Sequence, residues 1–287
     1  MYLQLIKAPL DIGAGIQGCK GAPDRLYEAG LQGFGQGNVI DIPFDPTAPG
    51  EKKDIIASFS RRLAEATYQA LVDGKTPIVL GGDHSIAIGT IGGIARYLQS
   101  QKRDLFVLWV DAHADFNTPE TTPSGNIHGM PVAVLTGDGD PTLLAVMKGI
   151  LPLKKKNIYM LGLRDVDPGE EERLQESDIV EWRMPIVRKE GVAALTKHLI
   201  DRVKAADGHL HISFDVDGLD AKLVPAVGTP VDNGLTVEEV DTCFRMIRES
   251  GVDFSCEIVE YNPTLAGAQQ TADVAMHLMR QLLSEAT

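Results

Sequence analysis

Ligand-type side chains alternate along the segment 111–115. Asp111, His113 and Asp115 are separated there only by alanines. They follow the apolar run 105–110, which is typical of a buried strand in a parallel sheet. In extended backbone, positions i, i+2 and i+4 share one face, so two carboxylates and an imidazole would point the same way. The repulsion between the two carboxylates predicts a cation at this strand end.

Two further stretches place ligand-type side chains after an apolar run. His84 follows the run 77–80 and a glycine pair, and Asp215 and Asp217 come at the end of the strand-like segment 211–215. Open α/β sheets bind ligands at the carboxyl ends of their strands. The sequence therefore predicts one cluster of six side chains, namely His84, Asp111, His113, Asp115, Asp215 and Asp217.

This set of donors indicates two divalent cations. Its carboxylates carry about four negative charges, which two divalent cations balance and one would not. Oxygen-rich donors without a thiolate favour Mn²⁺, and ligand hardness alone leaves Co²⁺ and Ni²⁺ open. Two such metals can share a bridging water and lower its pKa towards neutral, so the implied chemistry is hydrolysis by a metal-bound hydroxide.

The elements that must position these residues alternate between strand and helix patterns. Strands are predicted at 3–6, 38–42, 78–80, 105–110, 157–161, 179–182, 210–215 and 252–259. Helices are predicted at 23–29, 51–72, 85–98, 129–135, 141–147, 191–206, 236–250 and 269–283. This alternation predicts one α/β domain over residues 1–287 with a mostly parallel eight-stranded sheet. The pattern alone does not choose between an open sheet and a barrel.

Composition and charge exclude several classes of protein. The net charge is −13 and no basic tract offsets it, which argues against nucleic-acid binding and would favour a cationic substrate. No apolar run approaches the roughly 18 residues of a membrane span, so we expect no membrane association. The 3 cysteines show no CxxC spacing, which suits a reducing cytoplasm.

A glycine-rich segment near the N-terminus offers an alternative function. Gly13, Gly15 and Gly18 match the dinucleotide fingerprint G-x-G-x-x-G, and Asp41 follows at a suitable distance. That fingerprint requires a helix to begin on the glycines, whereas Pro23 is better placed as the first residue of a later helix. We therefore favour a glycine-rich surface loop over a nucleotide site.

The segments 81–85, 111–115 and 213–220 resemble the three signatures of the ureohydrolases, the family of arginases and agmatinases. The resemblance runs from residue 13 to residue 263 and implies a three-layer α/β/α sandwich of the arginase/deacetylase type. It also implies a homo-oligomer, a trimer or hexamer, with two Mn²⁺ per subunit. By resemblance, the first Mn²⁺ is held by His84, Asp111, Asp115 and Asp215, and the second by His113, Asp111, Asp215 and Asp217.

Within that family, the loop 117–129 and the segment 162–170 are most similar to arginases. The resemblance implies that Asn117, Thr122 and Ser124 hydrogen-bond the substrate α-carboxylate. Neutral donors suit this role because they satisfy a carboxylate without adding charge near the metals. It also implies that Asp167 meets the α-ammonium group, and that the supporting carboxylates are Asp165 and Glu170.

The resemblance further implies the catalytic residues and the reaction. Glu260 would bind the substrate guanidinium, Thr229 would line the same pocket, Asp115 would orient the hydroxide, and His128 would carry a proton to the leaving amine. The implied reaction is hydrolysis of L-arginine to L-ornithine and urea. Two alternatives stay open: another small guanidino substrate such as agmatine or guanidinobutyrate, and an inactive metal-binding scaffold of the same fold.

Overall fold

One open sheet of parallel strands forms the centre of the molecule. The computed structural model describes residues 2–34 and 39–284. The strands are β1 Leu3–Ala8, β2 Ile40–Asp41, β3 Thr76–Gly81, β4 Leu105–Val110, β5 Ile158–Leu161, β6 Val180–Trp182, β7 His209–Asp215 and β8 Phe254–Val259. Their order is β2-β1-β3-β8-β7-β4-β5-β6, and every neighbouring pair is parallel. Because β2 and β6 are the two edges, the sheet is open and does not form a barrel.

Helices connect successive strands and cover the sheet. The α-helices are α1 Ala22–Glu28, α2 Lys52–Val72, α3 Ala87–Gln101, α4 Pro131–Leu135, α5 Pro141–Leu144, α6 Pro168–Gln175, α7 Met184–Glu190, α8 Val192–Ala205, α9 Val237–Ser250 and α10 Ala268–Leu283. Across the residues that the structure covers, none of these helices combines the length and the apolar character needed to cross a membrane.

Two separate hydrophobic clusters lie on the two faces of the sheet. Every residue of β4 and β7 is buried, as parallel strands with helices on both sides require. Leu108 of β4 belongs to one cluster with residues of α8, α9 and α10, whereas Trp109 belongs to the other with residues of α2 and α3. The predicted three-layer α/β/α sandwich is therefore confirmed, and the sheet is wholly parallel where a mostly parallel one was expected.

The structure differs from the predicted elements in two short helices and several boundaries. α6 and α7 were not predicted, because neither carries a long apolar periodicity, although both begin with the start signal of an early proline. The predicted strand 38–42 comprises only β2, and Asn38 lies outside the described residues. The predicted helix 141–147 ends as α5 at Leu144 and continues as the 3₁₀ turn Ala145–Met147.

The central strands determine where the predicted ligands lie. β3, β8, β7 and β4 are consecutive neighbours in the sheet. Since all of them are parallel, their carboxyl ends lie at the same edge of the sheet. The segments that carry His84, Glu260, Asp215 and Asp111 begin at these four ends.

Candidate metal centre and active site

The first candidate metal position lies between the ends of β3, β4 and β7. His84 Nδ1 lies 3.1 Å from a carboxylate oxygen of each of Asp111, Asp115 and Asp215. All four side chains are buried, and within residues 2–34 and 39–284 His84 Nδ1 has no hydrogen-bond partner. A buried imidazole nitrogen that faces three carboxylate oxygens without being paired fits a divalent cation well.

The second candidate position shares a carboxylate with the first. His113 Nδ1 lies 3.3 Å from Asp111 Oδ1 and 3.3 Å from Asp217 Oδ2. His84, Asp111 and Asp215 form one compact ligand group, and Asp111, His113 and Asp217 form another. Because Asp111 offers one oxygen to each group, it is placed to bridge two cations. The structure thus brings all six predicted ligands together.

The backbone achieves this convergence differently from the extended alternation expected from the sequence. β4 ends before Asp111, and Asp115 has a φ of 47°, in the left-handed region. β7 ends at Asp215, and the 3₁₀ turn Val216–Gly218 carries Asp217, whose N–H donates to Asp215 Oδ1 at 2.8 Å. The ligands therefore converge through tight turns, and the expectation of a shared strand face was wrong.

The charges at this site are poorly balanced by the protein alone. Burial and the charge of Asp111 raise the pKa of Asp115 to about 6. Burial and the charges of Asp217 and Asp111 raise the pKa of Asp215 well above its usual range. Burial disfavours a charged His84, but the surrounding carboxylates of Asp111, Asp115 and Asp215 raise its pKa well above the usual value. Without a cation the site must take up protons, and a divalent cation removes that need.

Two residues that the sequence did not single out orient the ligands. Trp109 Nε1 donates to Asp111 Oδ2 at 3.0 Å, and the Trp109 ring stacks on His84 with centroids 4.0 Å apart. Ser213 Oγ lies 2.7 Å from His84 Nε2. Partners of this kind fix the orientation of metal ligands. Ser213 precedes Asp215 by two positions in β7 and so shares its face, a signal that was available in the sequence.

Two contacts hold the segment that carries Asp217. Thr229 Oγ1 donates to Asp217 Oδ2 at 2.9 Å, so this predicted pocket residue also orients a ligand. Arg164, which the sequence left without a role, donates to a ring of backbone carbonyls. The carbonyls belong to Gly162, Asp217, Gly218, Leu219, Val231 and Asp232. The guanidinium of Arg164 thereby fixes the turn after β7 against the loop that precedes α9.

A cavity of about 250 Å³ opens beside the candidate metal positions. Its walls include most of the predicted ligands and substrate contacts. These are His113, Asp115, Asn117, Thr122, Ser124, His128, Asp167, Glu170, Asp215, Asp217 and Thr229. Ligands and predicted substrate contacts therefore share one space, and the buried Glu260 is not among the residues that line it.

Residues of the loop 117–129 form part of the wall of the cavity that the carboxylate cluster also lines. Asn117 Nδ2 donates to Asp167 Oδ2 at 2.9 Å, and Thr121 Oγ1 donates to Asn117 Oδ1 at 2.9 Å. Since an amide nitrogen has two donors, one N–H of Asn117 stays available. The hydroxyl oxygens of Thr122 and Ser124 lie 3.5 Å apart on the same wall. Thr121 was not predicted, because its partner is fixed only by the fold of this loop.

A capping box positions Asp167 at the start of α6. Glu170 Oε2 accepts from the Asp167 N–H at 3.1 Å, and Glu170 Oε1 accepts from the Phe116 N–H at 2.8 Å. Burial, followed by the charge of Asp115, raises the pKa of Glu170 to about 7. Glu170 thus makes the contact with Asp167 that its predicted supporting role requires. Asp165, which was predicted for the same role, is exposed and lies 3.7 Å from His113 Nε2.

Glu260 and His128 form a buried pair beside His84. Glu260 Oε1 accepts from the His84 N–H at 2.8 Å and lies 2.9 Å from His128 Nδ1. Burial would lower the pKa of His128, but the charge of Glu260 and the contact with it raise that pKa to about 9. Glu260 has a φ of 66°, a left-handed conformation that is strained for glutamate and typical of functional positions.

Comparison with known proteins supports the same interpretation of the geometry. The sequence model of the Arginase family matches residues 2–284. The chain belongs to the arginase family.

An arginase from Brucella melitensis is 38% identical, over 99% of this chain and 96% of that protein. The native crystal structure of arginase from Bacillus caldovelox superposes with a TM-score of 0.92 at 35% identity, covering 99% of both chains. A crystal structure of arginase from Bacillus cereus gives 0.91 at 34% identity, covering 100% of this chain and 99% of that one. The protein is an arginase-type hydrolase.

The glycine-rich segment near the N-terminus of this arginase-family chain forms hydrogen bonds with residues at the candidate site. The Gly13 N–H donates to Asp83 Oδ2 at 2.7 Å, and the His128 N–H donates to the Gly13 carbonyl at 3.2 Å. Only the short 3₁₀ turn Cys19–Gly21 follows Gly18 directly, and α1 begins at Ala22, so no α-helix starts on the glycines and the dinucleotide fingerprint does not apply. Residues 15–17 are exposed, as expected of a glycine-rich surface loop, whereas Gly13 at its start is buried.

Proposed function

We propose that this protein hydrolyses L-arginine to L-ornithine and urea with two Mn²⁺ per subunit, within one domain of residues 1–287. One observation carries the proposal. The lining of the cavity divides into members of both candidate cation-ligand groups, and a set of neutral donors with Asp167. Arginine presents a guanidinium at one end and a carboxylate with an ammonium group at the other, which suits this division.

The ligand groups support a binuclear site. The first cation would be held by His84, Asp111, Asp115 and Asp215, and the second by His113, Asp111, Asp215 and Asp217. The many carboxylate oxygens and the lack of a thiolate among these residues favour Mn²⁺. When bound, two such cations supply a water whose lowered pKa makes it a hydroxide nucleophile near neutral pH.

The pair of Glu260 and His128 fits the binding of the guanidinium and the departure of the amine. In the absence of substrate, the His128 imidazolium is the cation that contacts Glu260. A substrate guanidinium on Glu260 competes for the same carboxylate and frees His128, which then carries a proton to the leaving amine. Asp115, whose carboxylate lines the cavity, orients the attacking nucleophile.

The wall that the loop 117–129 and Asp167 contribute to the cavity fits the α-substituents of arginine. Hydroxyls of Thr122 and Ser124 and the remaining N–H of Asn117 can donate to a carboxylate, and Asp167 offers a charge to an ammonium group. Agmatine lacks the carboxylate and guanidinobutyrate lacks the α-ammonium, so neither uses the whole wall.

Steady-state urea release by the manganese-loaded protein tests the proposal. We expect kcat/KM to be highest for L-arginine among arginine, agmatine and guanidinobutyrate. Because a hydrogen bond to a charged group contributes about 1.5–3 kcal/mol, Thr122→Val should lower kcat/KM for arginine about tenfold or more. The same variant should leave the low agmatine activity unchanged. Preference for agmatine would contradict the substrate assignment, and no urea with any divalent metal would favour the inactive scaffold.

The proposal includes a homo-oligomer, a trimer or hexamer, that acts on a small guanidino substrate in the cytoplasm. Membership of the arginase family supports the assembly, and the 3 free, buried cysteines suit a reducing compartment. The net charge of −13 remains an argument against nucleic acid as a partner. Light scattering on the purified protein tests the assembly, and a monomer at micromolar concentration would contradict it.

A further inference from the structure

A line of buried polar side chains leads from His84 into the sheet, away from the cavity. His84 Nε2 lies 2.7 Å from Ser213 Oγ, which donates to Glu257 Oε1 at 2.8 Å. His211 Nε2 lies 3.5 Å from the same Glu257 oxygen. All four residues are 0% exposed, and Ser213, Glu257 and His211 do not line the cavity. A charged side chain in the middle of β8 therefore touches neither solvent nor substrate.

The hydrogen-bonding chemistry of this line fixes the position of each proton. Burial would raise the pKa of Glu257, but the contact with His211 and its charge hold that pKa below the usual value. An ionised carboxylate can only accept, so the single hydroxyl proton of Ser213 goes to Glu257. The Ser213 oxygen can then only accept from His84 Nε2. The His84 proton is thereby held on Nε2, and the lone pair of Nδ1 stays available.

We propose that Glu257 is a positioning residue, which acts through Ser213 to hold His84 in the tautomer whose Nδ1 lone pair faces the first metal position. The inference rests on the proposed two-metal function. Without the carboxylate, the Ser213 hydroxyl is free to turn and donate to His84 Nε2. The imidazole proton would then move to Nδ1, and that tautomer cannot ligate a metal through Nδ1.

The cost of burying Glu257 supports a role beyond packing. β8 runs through the centre of the sheet, and the residues on either side of Glu257 are the apolar Cys256 and Ile258. A carboxylate in such a place loses its hydration, which packing alone does not compensate. His211 offsets part of this cost and is itself held by Ser255, whose Oγ lies 3.0 Å from His211 Nδ1.

The second metal ligand lacks a comparable line. His113 Nε2 faces Asp165, whose side chain is 67% exposed, across 3.7 Å. Solvent can therefore replace the partner of His113, whereas it cannot reach the partner of His84. Loss of the Glu257 charge should thus weaken the first metal position and spare the second.

Glu257→Gln tests the inference, because it keeps the size of the side chain and removes the charge. Stepwise Mn²⁺ affinities are measured by competition with a chelator, for the wild type and for Glu257→Gln. We expect one of the two affinities to fall about 10–100-fold, the usual effect of losing a partner of a metal ligand, and the other to change less than about twofold. Equal weakening of both sites, or unchanged affinities, would overturn the inference.

A double-mutant cycle separates action through Ser213 from a general effect on folding. Ser213→Ala should weaken the same site, and the double variant should bind no more weakly than Ser213→Ala alone. Additive losses would contradict action through Ser213. Ser60→Ala removes another fully buried hydroxyl, in α2, and should leave both affinities unchanged. The readout is metal affinity and does not depend on activity. If the wild type released no urea, that result would count against the proposed function and not against the role of Glu257.

Discussion

The buried pair of His128 and Glu260 couples protonation to stability. The pKa of His128 is raised to about 9 in the folded protein, against about 6.5 for an unfolded histidine. A raised histidine pKa means that the pair stabilises the fold in full below about pH 6.5 and loses this contribution as the pH rises through about 9. Glu260→Gln removes the charge that pairs with His128. In the metal-free protein this substitution should therefore lower the unfolding free energy more at pH 6 than at pH 10.

Urea unfolding of both proteins at pH 6, 8 and 10 checks this expectation. The pKa of Glu260 is held below its usual value: burial is the largest influence and works to raise it, but the charge and hydrogen bond of His128 and the contact and charge of His84 together outweigh burial. The hydrogen bond from the His84 N–H, which Glu260→Gln also alters, should contribute equally at each pH. A difference in free energy that stays constant from pH 6 to pH 10 would show that His128 is not charged in the folded state.

Arg164 is the second residue whose contacts permit a sharp prediction. Its planar guanidinium serves several carbonyls at once, and an ammonium group cannot reproduce this fork. We expect Arg164→Lys to lower the unfolding free energy by at least about 2 kcal/mol, since each buried carbonyl left unpaired costs about 1–3 kcal/mol. Denaturant unfolding measures the loss.

Arg62→Lys is the matched control for Arg164→Lys. Arg62 is exposed and donates to Ser58 Oγ and to the Pro43 carbonyl, where water can take its place. Its replacement should change the unfolding free energy by less than about 0.5 kcal/mol. Equal losses of unfolding free energy for the two variants would mean that the carbonyl contacts of Arg164 contribute no more to stability than the exposed contacts of Arg62.

The turn after β3 requires glycine at one position. A Cβ on Gly82 would lie 1.8 Å from the Leu10 carbonyl oxygen, which belongs to the loop that follows β1. Backbone cannot move aside as a flexible side chain can, so we expect Gly82→Ala to destabilise the protein by about 3 kcal/mol or more. It should also displace His84, two residues later, and so reduce Mn²⁺ binding.

Thermal unfolding and metal analysis of Gly82→Ala check both effects. Gly33→Ala is the control, because a Cβ there meets no described residue within 4 Å and its φ is not in the left-handed region. It should leave the melting temperature within about two degrees of the wild type. A folded Gly82→Ala protein with normal metal content would show that the loop after β1 adapts more easily than its close approach indicates.

The long elements could be predicted from sequence because their patterns are local. α2 and α9 show apolar residues at helical spacing, and the apolar run of β4 is bounded by polar residues. α6 has only Leu174 as a buried apolar residue, so its periodicity is too weak to detect. Its start signals, Asp167 as cap with Pro168 and Glu170 following, were nevertheless present in the sequence.

The candidate site was predictable in its residues and not in its geometry. The alternation of Asp111, His113 and Asp115 indicated ligands, yet the left-handed backbone at Asp115 depends on contacts made by the fold. The roles of Ser213 and Arg164 depend on partners from other strands and loops, which no local pattern reveals. Residue type therefore carried the chemistry, and tertiary contacts supplied the orientation.

The distribution of charge over the whole molecule ties metal binding to stability. The chain has a net charge of −13, and part of that excess is buried where β3, β4 and β7 end. Cations that bind only the folded protein stabilise it by RT ln(1 + [L]/Kd), about 4 kcal/mol per site when free metal is 1,000 times Kd. We expect removal of the metal with a chelator to lower the melting temperature, and Mn²⁺ to restore it.

His113→Ala divides this effect between the two positions. It removes a ligand of the second position only, because His84 and its three carboxylates do not involve His113. Elemental analysis should find close to one Mn²⁺ per chain in place of two, and added Mn²⁺ should raise the melting temperature by roughly half as much as in the wild type. Two metals per chain in this variant would contradict the ligand assignment. An unchanged melting temperature on chelation of the wild type would mean that the acidic cluster is stable without cations, and the physical basis for a metal centre would be lost.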